Sequence, residues 1–235
     1  MIKHIRCWRD TVELLKLSVY LQFGKRFWLI AVLALLWLLS HLVIQLLGWH
    51  SAGFNESDVQ NLLIGFPLYC LSIGMGVRII AHEIEQRTLE VSYTVSGNAR
   101  RVWLSKLAAS AFLLLLIQVV LSVVTWLVYV EYSMLIFFKV LQGSLFFLVF
   151  SMFAGALVRN ELAAILVSLV VGYLCLDSTS SKWSAFFNPL VVDSAPPNEL
   201  VIWIVQNHIG YFLVIFVVVF LSLSRADQRE SLLSN

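Results

Sequence analysis

At 235 residues, with 60% hydrophobic residues, 13% charged residues and a mean hydropathy of +0.88, the chain is built for an apolar solvent. Ordinary globular chains are about 45–50% apolar and about 25% charged, so a soluble enzyme or receptor domain is excluded. The formal net charge of +2 is dispersed among apolar stretches, not gathered on one face, which leaves nucleic acid out of the expected partners.

Residues 1–26 form a basic, amphipathic prelude. Ile5, Trp8, Val12, Leu15 and Val19 recur at intervals of three and four, one stripe of a helix, and Lys3, Arg6, Arg9, Asp10, Glu13 and Lys16 lie largely off it. Such a helix lies in the headgroup plane on the cytoplasmic side; a solvated tail with a chance stripe is the alternative. Phe27–Leu47 is too long for the apolar core of a signal peptide and is expected as a retained first span.

Six spans are expected over residues 27–224. After the first, 48–61 is a short loop with Asn55, Glu56, Ser57 and Asp58. The second span covers about 62–81, the third about 107–130, the fourth about 135–158, the fifth 162–176, and the sixth lies within 201–223. The extracytoplasmic segment 177–200 carries Trp183, Phe186 and Phe187 ahead of Asn188-Pro189. It reads equally as a partly re-entrant segment or as an ordinary loop. Residues 225–235 form a tail. The fold class is therefore all-α integral membrane. Cys7, Cys70 and Cys175 form an odd set without ligand spacing, so neither a disulfide framework nor a zinc site is expected.

Charge sets the orientation. Lys3, Arg6, Arg9, Lys16, Lys25, Arg26, Arg78, Arg87, Arg100, Arg101, Lys106, Arg159, Arg225 and Arg229 fall on one side, and only Lys139 and Lys182 on the other. By the positive-inside rule both termini and the polar loop 81–106 are cytoplasmic.

The chemistry-bearing motifs are mostly absent. His82-Glu83-Ile84-Glu85-Gln86 misses the second imidazole that a helical zinc motif needs. There is no phosphate-binding loop around Gly24-Lys25 and no nucleophile elbow to partner His41, His50 or His208. No catalytic, cofactor-binding or metal-binding residue is assigned. Inside the spans, Gln118 (with Ser122 and Thr125) and Gln142 read as helix–helix hydrogen-bonding groups in preference to ligand contacts. Lys139 and Arg78 lie close enough to span ends to snorkel. Gly65, Gly74 and Gly76 permit close approach of a neighbouring helix, and a kink at Pro67 is the plainer account of that stretch.

The polar loop has its own logic. Span two is expected to continue as helix to about Glu85, Thr88 to cap a short helix, and Ser96 and Asn98 to cap the helix leading into span three. Leu89, Val91, Tyr93 and Val95 supply apolar knobs within a charged surround, a plug for a partner's groove.

Arg87-Thr88-Leu89-Glu90-Val91, Val95-Ser96-Gly97-Asn98-Ala99-Arg100 and Leu104-Ser105-Lys106-Leu107 together resemble the ABC-2 type permeases. Their loop reads roughly E-x-G-T-L-E-x-L-L-x-x-P-V-S-R, followed by x-x-x-G-K at the next span. The register from Thr88 to Lys106 needs no gap; Arg87 stands where Gly is usual and Ser96 where Pro is usual. The resemblance implies a permease subunit of an ATP-driven exporter in the bacterial inner membrane. Its partners would be two copies of a separate ABC ATPase, which holds the ATP and Mg, and a second permease copy in a homodimer surrounded by membrane lipids. It implies a cytoplasmic coupling helix between spans two and three that docks on the ATPase, with Glu85, Thr88, Leu89, Glu90, Val91, Ser96 and Arg100 at the contact. Ser72, Gly74 and Gly76 in span two, and Ser168, Gly172 and Tyr173 in span five, would line the dimer interface or pathway. The substrate expected is a small peptide or antibiotic, exported in self-immunity. A haem-exporter-B-like subunit of cytochrome c maturation and a lipid, glycan or drug exporter are the alternatives, and an intramembrane enzyme ranks below them.

Overall fold

A computed structural model describes residues 24, 28–48, 54–86, 99–176, 183, 187 and 197–226. The amphipathic helix expected over 1–26 (Gly24 apart), the coupling helix expected within 87–98, most of 177–200 and the tail from 227 lie outside the described residues.

A long apolar chain in lipid satisfies its backbone only as helices or a closed barrel. Here the described residues form helices and no strand: α1 (Trp28–Leu46), α2 (Gly65–Glu85), α3 (Ala99–Val128), α4 (Met134–Val158), α5 (Glu161–Leu176) and α6 (Pro197–Ala226). Five stretches are long and apolar enough to cross a membrane: α1, Glu56–Glu85 containing α2, and the bodies of α3, α4 and α6. This is the pattern of an all-helical, multi-pass membrane protein. α5 has 16 residues, a rise of about 24 Å against a hydrocarbon core of about 30 Å.

The approach to α2 differs from the expected loop. The Asn55 N–H donates to Asp58 Oδ2 at 2.8 Å, and a helical turn starts at Glu56–Asp58. A π-turn follows at Val59–Leu63, closed by the Ile64 N–H on the Val59 carbonyl at 3.1 Å. Gly65 is required there, because a Cβ would lie 1.8 Å from the Gln60 carbonyl oxygen. Pro67 sits in the first turn of α2, where a helix has no use for its missing N–H. The discontinuity therefore falls just before Pro67 and not in mid-span.

α2 and α4 form the centre, and they run parallel. Gly143 packs on Tyr69, Ser151 and Leu148 on Gly76, and Gly155 on Val77 and Ala81. Gly143, Phe147, Ser151 and Gly155 recur every four residues, which gives α4 one small-residue face broken by a single ring. Ser151 Oγ reaches the Ser72 carbonyl at 3.5 Å across that face. With lipid tails as apolar as the side chains, close van der Waals contact and such hydrogen bonds hold the pair.

α1 and α6 are peripheral. Leu33, Leu36, Leu39 and Val43 of α1, and Phe212, Phe216 and Phe220 of α6, face outward as a lipid-compatible surface. α1 is tied inward by Trp37 Nε1 donating to the Leu62 carbonyl at 3.0 Å and by the Tyr129 hydroxyl donating to the Leu38 carbonyl. Between α4 and α5 the chain reverses at Arg159 in the left-handed region (φ 59°), and Asn160 Oδ1 caps α5 by accepting from the Ala163 N–H at 2.9 Å.

Candidate functional site

α2 keeps its helical hydrogen bonding to Glu85, where the sequence places its end, and its last turns are polar. Successive residues of a helix point in different directions, so His82, Glu83 and Glu85 reach different neighbours. Glu83 turns toward α3. Its Oε2 accepts from Trp103 Nε1 at 2.8 Å, and its Oε1 pairs with Lys106 Nζ. The three side chains are buried: Trp103 is 0% exposed, Glu83 6% and Lys106 8%. An ion pair so far from water is stable only with its further hydrogen bonds made, and the indole supplies one of them.

His82 and Glu85 turn toward α5. His82 Nδ1 meets Glu161 Oε1, and the Glu161 N–H donates to Glu85 Oε1 at 2.7 Å. The first turn of α5 presents unpaired N–H groups and the positive end of the helix dipole, so a carboxylate is well placed there. The two carboxylates and the imidazole thus clasp the end of α2 to the starts of α3 and α5. Residues 87–98 leave from this clasp at Gln86 and return to it at Ala99.

Of the coupling residues inferred from sequence, Glu85 belongs to the clasp and Arg100 lies exposed on the first turn of α3. Thr88, Leu89, Glu90, Val91 and Ser96 lie outside the described residues. Glu83, Trp103 and Lys106 were not among the inferred site residues. The signal for them was a carboxylate and an ammonium facing each other across one loop, each about one helical turn from its membrane-length apolar run.

The six residues assigned to a dimer interface divide in two. Ser72 donates to the Leu68 carbonyl at 2.7 Å and Ser168 to the Ala164 carbonyl at 2.8 Å, both fully buried. Gly76 is occupied by α4, and Gly172 lies against the Phe147 ring. These four are taken up by packing inside the chain. Gly74 has open space beside it and Tyr173 is 73% exposed, so these two face outward.

The intramembrane amides bridge helices. Gln118 Nε2 of α3 donates to the Phe137 carbonyl of α4 at 2.7 Å. Gln142 Nε2 of α4 lies 3.3 Å from Asn207 Oδ1 and 3.4 Å from the Asn207 carbonyl of α6.

Lys139 corrects an expectation. It does not snorkel: it is 2% exposed, donates to Asn207 Oδ1 at 2.7 Å, and sits 5.2 Å from the centre of the Phe187 ring. Its position near the start of α4 suggested an easy escape to water, but α6 and Phe187 close over it. Asn207, which completes this second cluster, carried no motif.

No family model, curated protein or solved structure matches this chain.

Proposed function

We propose that the chain is the permease subunit of an ATP-driven ABC exporter, driven through residues 87–98 by separate ATPase subunits. The observation that carries this reading is the ungapped likeness of Thr88–Lys106 to the coupling loop of ABC-2 permeases. The clasp supports it physically. A load applied to residues 87–98 meets α2 through Gln86 and α3 through Ala99, and Glu83 joins these two helices through buried, charged contacts. Glu161 carries the same load to α5. Such a base transmits a push to three helices at once, whereas a flexible base would absorb it.

On this reading α5 is a sixth, short crossing, both termini are cytoplasmic in a bacterial inner membrane, and two permease copies work as a homodimer. Gly74 and Tyr173 are the outward-facing residues available to that contact. ATP binding closes the ATPase pair, and the coupling segment converts that closure into helix tilting. The conversion requires that the ATPase bind the two permease conformations with different free energies. The cargo we favour is a small peptide exported in self-immunity.

Purification of the tagged chain from its native host in mild detergent, with identification of bound proteins, tests the reading. A soluble partner bearing a phosphate-binding loop should co-purify, and Glu90→Lys or Leu89→Ala should release it. Recovery without such a partner, or equal retention by both variants, sinks the docking role.

A further inference from the structure

Lys139 lies about 8 Å along α4 from its first residue, and Asn207 about 15 Å along α6, both at the end opposite the clasp. The cluster is built from four parts of the chain. Gln60, set in the π-turn, donates to the Phe187 carbonyl at 3.4 Å. The Phe187 ring covers the Lys139 ammonium. That ammonium donates to Asn207 Oδ1, and Gln142 Nε2 shares the same acceptor. Lys139, Gln142, Asn207 and Gln60 are each no more than 3% exposed.

Among the described residues the charge balance of this cluster is incomplete. No carboxylate among them pairs with Lys139, and their salt bridges are those of the clasp. An ammonium has three protons to donate; one goes to Asn207 Oδ1, and a ring face at 5.2 Å gives only weak compensation. Gln142 Oε1 is buried without a hydrogen-bond partner, so that amide is also under-used. A charge held at such depth without a counter-charge is costly, and intramembrane ionisable groups mark binding and transport sites for that reason. Beside the cluster, between α4 and α6, is a cavity of about 170 Å³. Leu135, Phe138, Leu141, Leu145 and Phe212 make its walls apolar; Gln142 and His208 are its polar lining, and through Gln142 it adjoins the Lys139–Asn207 pair behind it.

We propose that Lys139, Asn207 and Gln142 form a binding site for the phosphate or carboxylate head of an anionic amphiphile, whose alkyl chain occupies the apolar cavity between α4 and α6. The ammonium supplies the counter-charge, and the two amides supply hydrogen bonds in either orientation. The inference stands on the geometry of this end alone and does not depend on the permease reading. A membrane phospholipid and a transported amphiphile present the same chemistry here.

The full-length protein in a neutral detergent is titrated with dodecyl phosphate, phosphatidylglycerol, phosphatidylcholine of the same chains, and inorganic phosphate. Binding is followed by native mass spectrometry and by the thermal midpoint, which rises when a ligand binds only the folded state. Both anionic amphiphiles should bind about tenfold more tightly than phosphatidylcholine, the scale of one charge-assisted hydrogen bond. Lys139→Met should abolish that preference and Lys139→Arg retain it. Dodecyl phosphate preferred over phosphatidylglycerol identifies a single-chain cargo, and the reverse identifies a membrane lipid; either supports the site. Equal binding of anionic and zwitterionic lipid by the wild type overturns it without recourse to a variant, and so does an unchanged preference in Lys139→Met. Inorganic phosphate binding as tightly as dodecyl phosphate removes the role of the cavity and overturns the amphiphile.

Discussion

Glu83 shows most clearly what one side chain does in this molecule. It is the ionic partner of Lys106 and the acceptor for the Trp103 indole, and all three are buried. Glu83→Ala strands a buried ammonium and should lower stability by about 3–5 kcal/mol, read from thermal or denaturant unfolding in detergent. The double variant Glu83→Leu, Lys106→Met removes both charges and should recover most of that loss, because a well-packed apolar pair replaces a desolvated ionic one. A double variant as unstable as the single one contradicts the pairing. Gly76 and Gly74 make a second test. At Gly76 a Cβ would lie 2.0 Å from Ser151 Oγ and 2.2 Å from the Leu148 carbonyl oxygen, so Gly76→Ala must separate α2 from α4, at a cost of about 1–3 kcal/mol. Gly74→Ala meets nothing and should be neutral or stabilising by up to about 1 kcal/mol. The sequence offered these two glycines as equals, two residues apart on one span; which of them meets α4 depends on helix rotation, which apolar composition leaves unspecified.

At the scale of elements, most of the helices were legible because apolar length alone marks them. α1, α4 and α5 fall within a residue of the expected spans, and α2 reaches the expected Glu85. The helical turn at Glu56–Asp58 and the π-turn were not legible, since Asn55, Glu56, Ser57 and Asp58 read as loop by polarity and cap a helix by geometry. The four-residue spacing of Gly143, Phe147, Ser151 and Gly155 was present in the sequence, yet only the position of α2 gives it a partner. The joint between α2 and α5 is weaker than that between α2 and α3, because His82 and Glu161 are partly exposed. Glu161→Gln should therefore cost no more than about 1 kcal/mol of global stability. It should, however, speed amide hydrogen exchange in the first turn of α5. Exchange unchanged there would show that Asn160 and the backbone hold the turn without the clasp.

For the whole molecule, the two polar clusters lie at opposite ends of the helix bundle, one buried pair at the clasp and one buried cation at the far end. The sequence separated these ends by charge count, but it missed that Lys139 turns inward, because a partner 68 residues away leaves no local pattern. Single cysteines in an otherwise cysteine-free chain test the orientation. Ala52→Cys, Glu131→Cys and Ser180→Cys should react with an impermeant maleimide from outside the cell, and Thr94→Cys only after the membrane is opened. Labelling of Ser180→Cys from the cytoplasmic side alone would remove α5 from the crossings. The central claim, that residues 87–98 deliver an ATPase's work to the helices, is tested most directly by a photo-crosslinking amino acid at position 89 in living cells. The account predicts an adduct with a protein bearing a phosphate-binding loop, formed in wild-type background and lost when Glu90→Lys is added. Adducts with lipid alone, or a protein adduct indifferent to Glu90→Lys, would contradict it.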